Sequence, residues 1–154
     1  VDNGLPVTVS FPLHPSWEFL ALIPDFDLPT SLARSVLPEQ VSRGDAIYNI
    51  AHGAMVLKAL ELGDEKLLRT AMQDRLHQKY RKKLIPDYEK IEALARTHGA
   101  AFCLSGAGPT LLCMTRDKEL SQKLAKKLPA VTEHNWEILP LHVEFQGAQA
   151  FPEE

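Results

Sequence analysis

Two apolar, β-rich runs, residues 101–105 and 110–115, stand on either side of a short stretch of glycine, alanine and proline in LSGAGPTLL (104–112). So short a link admits only an antiparallel hairpin, because parallel strands need a crossover of about a dozen residues or more. The hairpin commits the chain to an antiparallel sheet, and two other segments can extend it. WEFLALIP (17–24) is a continuous apolar run closed by Pro24, as in a buried strand. WEILPLHVEF (136–145) is a last strand whose Pro140 brings no amide hydrogen to the ladder, which indicates an edge position or a bulge. VTVSFPLH (7–14) alternates roughly in polarity and reads as a further strand-like segment.

Helical patterns fill the intervals. SLARSVLP is a short helix capped by Thr30 or Ser31 and stopped by Pro38. A long helix begins near Val41, carries Ile47, Ile50, Ala51, Ala54, Leu57 and Leu60 on one stripe expected to face the core, and ends at Gly63. Asp64 caps the next helix, with Leu67, Leu68, Ala71 and Met72 facing in. Pro86 suits the first turn of another, whose Ile91, Leu94 and Ala95 point inward and which stops at Gly99. In DKELSQKLAKKL (117–128) the inward positions are Leu120, Leu124 and Leu128. The pattern predicts an α+β fold: a four-stranded antiparallel sheet covered by helices, close to the split βαβ, ferredoxin-like plait.

Composition narrows the function. At 154 residues, 45% hydrophobic and 24% charged, the chain suits one globular domain with a real core. Seventeen basic against 20 acidic residues give a formal charge of -3, which offers nucleic acid no electrostatic footprint. No apolar stretch approaches the roughly 20 residues of a membrane span, and VDNGLPVTVS lacks the basic start and apolar run of a signal peptide, so a cytoplasmic location is expected. Cys103 and Cys113 are ten apart without CxxC spacing or a nearby histidine pair, and read as buried free thiols rather than a disulfide or zinc site. No metal site is expected from these residues.

The glycine loop fits neither common phosphate cradle. A Walker loop needs Lys and then Ser or Thr after its second glycine, whereas Gly108 is followed by Pro109 and Thr110. A dinucleotide fingerprint needs three glycines in a strand-to-helix turn, and this loop joins strand to strand. Taken alone, it is a structural turn.

Four ordered blocks say more: ARSVLP (33–38), DAIYNIAHGA (45–54), AMQDRLHQKYRKKLIPDYEKI (71–91) and GAAFCLSGAGPTLLC (99–113). Together, from about Trp17 to about Thr115, they resemble the C-terminal half of the homoserine kinases within the GHMP small-molecule kinases. LSGAGPT resembles the third motif of that family, and DRLHQKYR with LIP is what points to homoserine as the acceptor. The resemblance implies that residues 1–154 form a substrate-side C-terminal domain. The family's P-x-x-x-G-L-G-S-S-A type ATP loop belongs to an N-terminal half, and no such stretch occurs here. The implied activity is ATP-dependent phosphorylation of L-homoserine to O-phospho-L-homoserine, in threonine biosynthesis. ATP and Mg²⁺ would be held mainly by the N-terminal half, and this chain alone is expected to be inactive.

An amino-acid substrate presents a carboxylate, which a guanidinium fork can pair through two parallel charge-assisted bonds that Lys cannot reproduce. The resemblance assigns Arg34 and Arg81 to the homoserine carboxylate. Asn49, His52 and Asp74 are further candidates on the substrate side, although an arginine of some relatives is Ala51 here. Ser105, Gly106, Ala107, Gly108, Pro109 and Thr110 would line the pocket and brace the phosphate loop, the glycines permitting close backbone approach. No catalytic base is assigned: His77 reads as a helix-end hydrogen-bonding residue and Asp74 as a cap or brace of Arg81. Phosphoryl transfer asks more for positioning and charge neutralisation than for a base. Another class stays open, an amino-acid sensing or dimerising module on the same plait, since fold alone does not separate these; a homodimer is compatible with either.

Overall fold

The computed structural model describes residue 4 and residues 7–147. The hairpin forms as expected: β2 (Ala101–Leu104) and β3 (Leu111–Thr115) are antiparallel, with Leu104 opposite Leu111. β1 (Glu18–Pro24) lies between β3 and β4 (Trp136–Leu141), antiparallel to both, which gives the sheet order β2-β3-β1-β4. Helices α1 (Thr30–Ser35), α2 (Arg43–Leu62), α3 (Glu65–Ala71), α4 (Gln78–Arg81) and α5 (Tyr88–Thr97) separate β1 from β2, and α6 (Leu120–Val131) separates β3 from β4. This is the split βαβ arrangement of an α+β plait.

Strand alternation divides the core into two layers. Leu20, Leu22, Phe102, Leu104, Leu111 and Cys113 face one side, where Tyr88 and Ile91 of α5 and Leu120, Leu124 and Leu128 of α6 close over them. Phe19, Ala101, Cys103, Leu112 and Met114 face the other, against Trp17, Ala59 and Leu60 of α2, and Leu68 of α3. Cys103 and Cys113 are thus buried free thiols on opposite faces of the sheet, and burial pushes both up to about 12.

Several expectations need correction. Of the predicted α2 stripe only Leu60 packs inward: Ile47 is 58% and Ile50 75% exposed, and Ala51, Ala54 and Leu57 lie on the surface with them. The helix is apolar on both sides, and the side that meets the sheet is Val56, Ala59 and Leu60. Residues 7–14 form no strand; most are exposed, and His14 donates its amide to the Leu60 carbonyl. β4 stops at Leu141, opposite Phe19, because β1 begins one residue earlier and residues 142–145 run past its end. Thr30 lies inside α1 behind Pro29, and no side chain caps that helix. α5 starts at Tyr88 rather than at Pro86, with Asp87 as N-cap in the left-handed region at φ 65°. The Asp87 side chain instead accepts the amides of Glu133 and His134 and so anchors the turn into β4. Caps at Ser42 and Asp64, which accept the amides of Asp45 and Leu67, fix the starts of α2 and α3.

Candidate functional site

Arg81 is where the separate pieces meet. It ends α4, a single turn too short to persist unaided, and its guanidinium reaches in two directions. Nε donates to the Ala33 carbonyl at 2.9 Å, and Nη1 donates to the Gly106 carbonyl at 3.1 Å. Ala33 precedes Arg34 on α1, and Gly106 is the exposed tip of the glycine loop. One side chain therefore ties together the helix bearing Arg34 and the loop 105–110. Its Nη2 face stays available for an end-on pair with a carboxylate. Arg34 is exposed, and among the described residues neither arginine has an Asp or Glu partner.

The loop is shaped by close packing. Ser105 donates its amide to the Thr110 carbonyl at 2.9 Å, and Gly108 donates to the Ser105 carbonyl at 3.1 Å, closing the turn; the Gly108–Pro109 peptide is cis. Gly108 has φ +86°, and a Cβ there would lie 2.8 Å from Leu104 Cδ2 and 3.0 Å from Ile85 Cδ1. Gly106 has φ +60° with no atom within 4 Å of such a Cβ, so it needs glycine for its backbone alone. Ser105, Gly106, Ala107, Gly108, Pro109 and Thr110 thus form a loop seated on the core at one end and open to solvent at its tip.

Asn49 and Asp74 come together, but on each other. The Asp74 side chain, 8% exposed, accepts the His77 amide at 2.6 Å and the Gln78 amide at 2.7 Å on Oδ1, and Asn49 Nδ2 at 2.5 Å on Oδ2. Asn49 Oδ1 accepts the Arg75 amide at 3.0 Å. Burial alone would raise the Asp74 carboxyl, but these hydrogen bonds outweigh it and hold the group below the usual carboxylate range. His77 Nε2 lies 3.7 Å from Asp74 Oδ2. His52 is turned to its own helix: Nδ1 meets the Tyr48 carbonyl at 2.9 Å, and its ring stacks on Tyr48, which also carries the Arg75 guanidinium 3.7 Å from its centroid.

Gln78 was not visible as a site residue in the sequence. Its Oε1 accepts the Leu104 amide at 2.9 Å, so α4 holds β2 at the point where the glycine loop departs. The usable signal was an Asp ahead of a short polar helix, DRLHQ, the pattern of a side chain capping free amides. A cavity of about 300 Å³ whose lining includes Asp74, Gln78, Lys79, Lys82, Tyr88 and Arg96 adjoins α4, but Arg34, Arg81 and the glycine loop do not line it. Arg34 and Gly106 are exposed, and Arg81 is half-buried between the carbonyls of Ala33 and Gly106. Among the described residues no group of three or more His, Cys, Asp or Glu side chains could hold a metal ion, and no helix is long and apolar enough to cross a membrane.

The homoserine kinase of Nostoc punctiforme is 43% identical over 143 residues, which cover 91% of this chain and 47% of that protein. That of Caldicellulosiruptor bescii is 38% identical over 148 residues, covering 93% of this chain and 48% of that one. The chain therefore spans about half the length of the curated relatives it matches. A crystal structure of homoserine kinase from Cytophaga hutchinsonii shares the fold, with a TM-score of 0.79 over 88% of this chain and 44% of that one, at 23% identity. The model of the GHMP kinases C-terminal family matches residues 56–134, from the sheet-facing half of α2 to the turn before β4. The chain belongs to the GHMP kinases, as their C-terminal domain.

Proposed function

We propose that this chain is the substrate-side half of a homoserine kinase, acting in a longer protein whose N-terminal half carries ATP. The observation that carries the reading is that, among the described residues, Arg34 and Arg81 have no carboxylate partner, and Arg81 is tied to the glycine loop. Arg34 and Arg81 take the carboxylate of L-homoserine, and loop 105–110 sets the distance from that anchor to the reacting hydroxyl. The hydroxyl oxygen bonds to the γ-phosphorus as the bond to the β–γ bridging oxygen breaks, giving O-phospho-L-homoserine and ADP. The hydroxyl proton passes to solvent or phosphate without a side-chain base from this domain. Mg²⁺ would accompany the nucleotide and help neutralise the transferring phosphoryl group; among the described residues no cluster of three or more His, Cys, Asp or Glu side chains would hold it, so its ligands would come from the N-terminal half. Asn49 and Asp74 brace the site rather than touch ligand. The protein works in the cytoplasm, in threonine biosynthesis.

The test is a coupled ADP-release assay on the longer protein and on this chain with L-homoserine and Mg-ATP. Turnover is expected in the first and none in the second. No turnover by the longer protein, or turnover by the chain alone, refutes this division of labour. A second reading, a dimerising module, is favoured by one observation, the exposed apolar stripe of Ile47, Ile50 and Leu57. A dimer of this chain at micromolar concentration, abolished by Ile50→Lys, would support it.

A further inference from the structure

α4 has only four residues, yet it bears Arg81 and, through Gln78, the end of β2. At its start lies a two-residue clasp. Asp74 gathers the two amides that open α4 on one oxygen and Asn49 on the other, while Asn49 holds the Arg75 amide with its remaining oxygen. Every acceptor is used once or twice, and α2, a 20-residue helix capped at both ends, is the fixed body to which the turn is fastened. Arg81 then projects to Ala33 and Gly106, more than 20 residues away in sequence from either.

We infer that Asp74 and Asn49 are positioning residues: together they set the direction of α4, and hence the place of the Arg81 guanidinium between α1 and the glycine loop. The kinetic consequence rests on the proposed function, but the structural one does not. The chemistry of the pair makes it separable from general stability. Asp offers two acceptor oxygens and Asn one, so Asp74→Asn cannot serve both the α4 amides and Asn49. Asn49→Asp sets two carboxylates against each other. The exchange of both, Asn49→Asp with Asp74→Asn, restores every bond: the new amide oxygen takes the α4 amides, its NH₂ meets the new carboxylate, and that carboxylate takes the Arg75 amide.

The first measurement uses this chain and needs no activity. Solvent exchange of the Arg81 Nε proton, protected by the Ala33 carbonyl, is followed by NMR. Asp74→Asn should accelerate it about tenfold or more, as expected when a local hydrogen-bonded unit opens more readily, and the double exchange should bring it back to wild type. Unchanged exchange in folded Asp74→Asn, or a double variant as fast as the single ones, overturns the clasp. The second measurement uses the longer protein. KM for homoserine should rise about tenfold in Asp74→Asn, with KM for ATP held within about twofold, and the exchange should restore it. Equal rises in both constants mean loss of structure and overturn the positioning role. If the wild-type protein leaves homoserine untouched, the proposed function falls, and the NMR result alone decides the clasp.

Discussion

Replacing Gly108 by alanine tests whether the glycine loop is seated on the core as described. Two costs are expected. At φ +86° an L-residue is strained by about 1–2 kcal/mol. In addition, the new Cβ would stand 2.8 Å from Leu104 Cδ2 and 3.0 Å from Ile85 Cδ1. Both neighbours are buried, and overpacking of this kind typically costs about 1–3 kcal/mol. Gly108→Ala should therefore lose about 2–5 kcal/mol, a large share of the roughly 5–15 kcal/mol that holds a domain folded. Gly106→Ala supplies the control. It shares the left-handed backbone, at φ +60°, but a Cβ there meets nothing within 4 Å, so only the first cost applies. Urea unfolding of the two variants and the parent, followed by circular dichroism, gives the difference between them, with the backbone cost largely cancelled. For a chain of this length the gap corresponds to a separation of about 2–12 °C in Tm. If Gly108→Ala is no less stable than Gly106→Ala, the loop does not rest on Leu104 and Ile85, and the placement of its tip near Arg81 loses its support.

Other expectations follow from single sites. In the longer protein, Arg81→Lys should raise KM for homoserine about tenfold to a hundredfold, the equivalent of losing a charge-assisted bond, and an unchanged KM would reject the carboxylate assignment. Ile50→Lys should change the stability of this chain by no more than about 0.5 kcal/mol, as for a surface substitution, whereas Leu124→Ala in the core of α6 should lose about 2–5 kcal/mol; a large loss from Ile50→Lys would show that the stripe is covered within the chain. Asp74 has its carboxyl held low in the folded state, so it contributes stability above the unfolded value of about 3.9, lost as pH falls through the folded value. Asp74→Asn should accordingly flatten the acid side of a Tm–pH curve, and a parallel curve would mean that its hydrogen bonds do not favour the charged form. Both cysteines should resist a thiol reagent at pH 8 until urea unfolds the chain, because burial raises them to about 12.

The sheet was legible in the sequence because its signals are local. The hairpin is set by a link too short for a crossover, and the inward leucines of α6 recur at the helical period, so Leu120, Leu124 and Leu128 stand where the pattern puts them. Pro140 indicated an edge position or a bulge, and β4 is an edge strand of the sheet, with Pro140 opposite Leu20. What failed were inferences about which partner a pattern meets. The stripe from Ile47 to Leu57 has a helical period, but periodicity reports that a face is apolar, not what covers it. A short second set, Val56, Ala59 and Leu60, was enough to carry α2 against the sheet.

The candidate site shows the same division. Arg34 and Arg81 could be named as candidates from their blocks, but not the link between the elements that bear them, a hydrogen bond from Arg81 to the Ala33 carbonyl 48 positions away. Backbone carbonyls carry no residue identity, so no spacing rule points to Ala33 or Gly106. The same holds for Asn49 and Asp74, 25 positions apart and hydrogen-bonded to each other at the start of a one-turn helix. A helix of one turn is the place where such a fixture matters most, since it has too few bonds of its own to keep its direction. The polar residues of the candidate site therefore divide by whether a hydrogen-bond partner already occupies them. Asn49, His52, Asp74 and Gln78 have theirs within the chain, while Arg34 and the outer edge of Arg81 face outward with charge to offer.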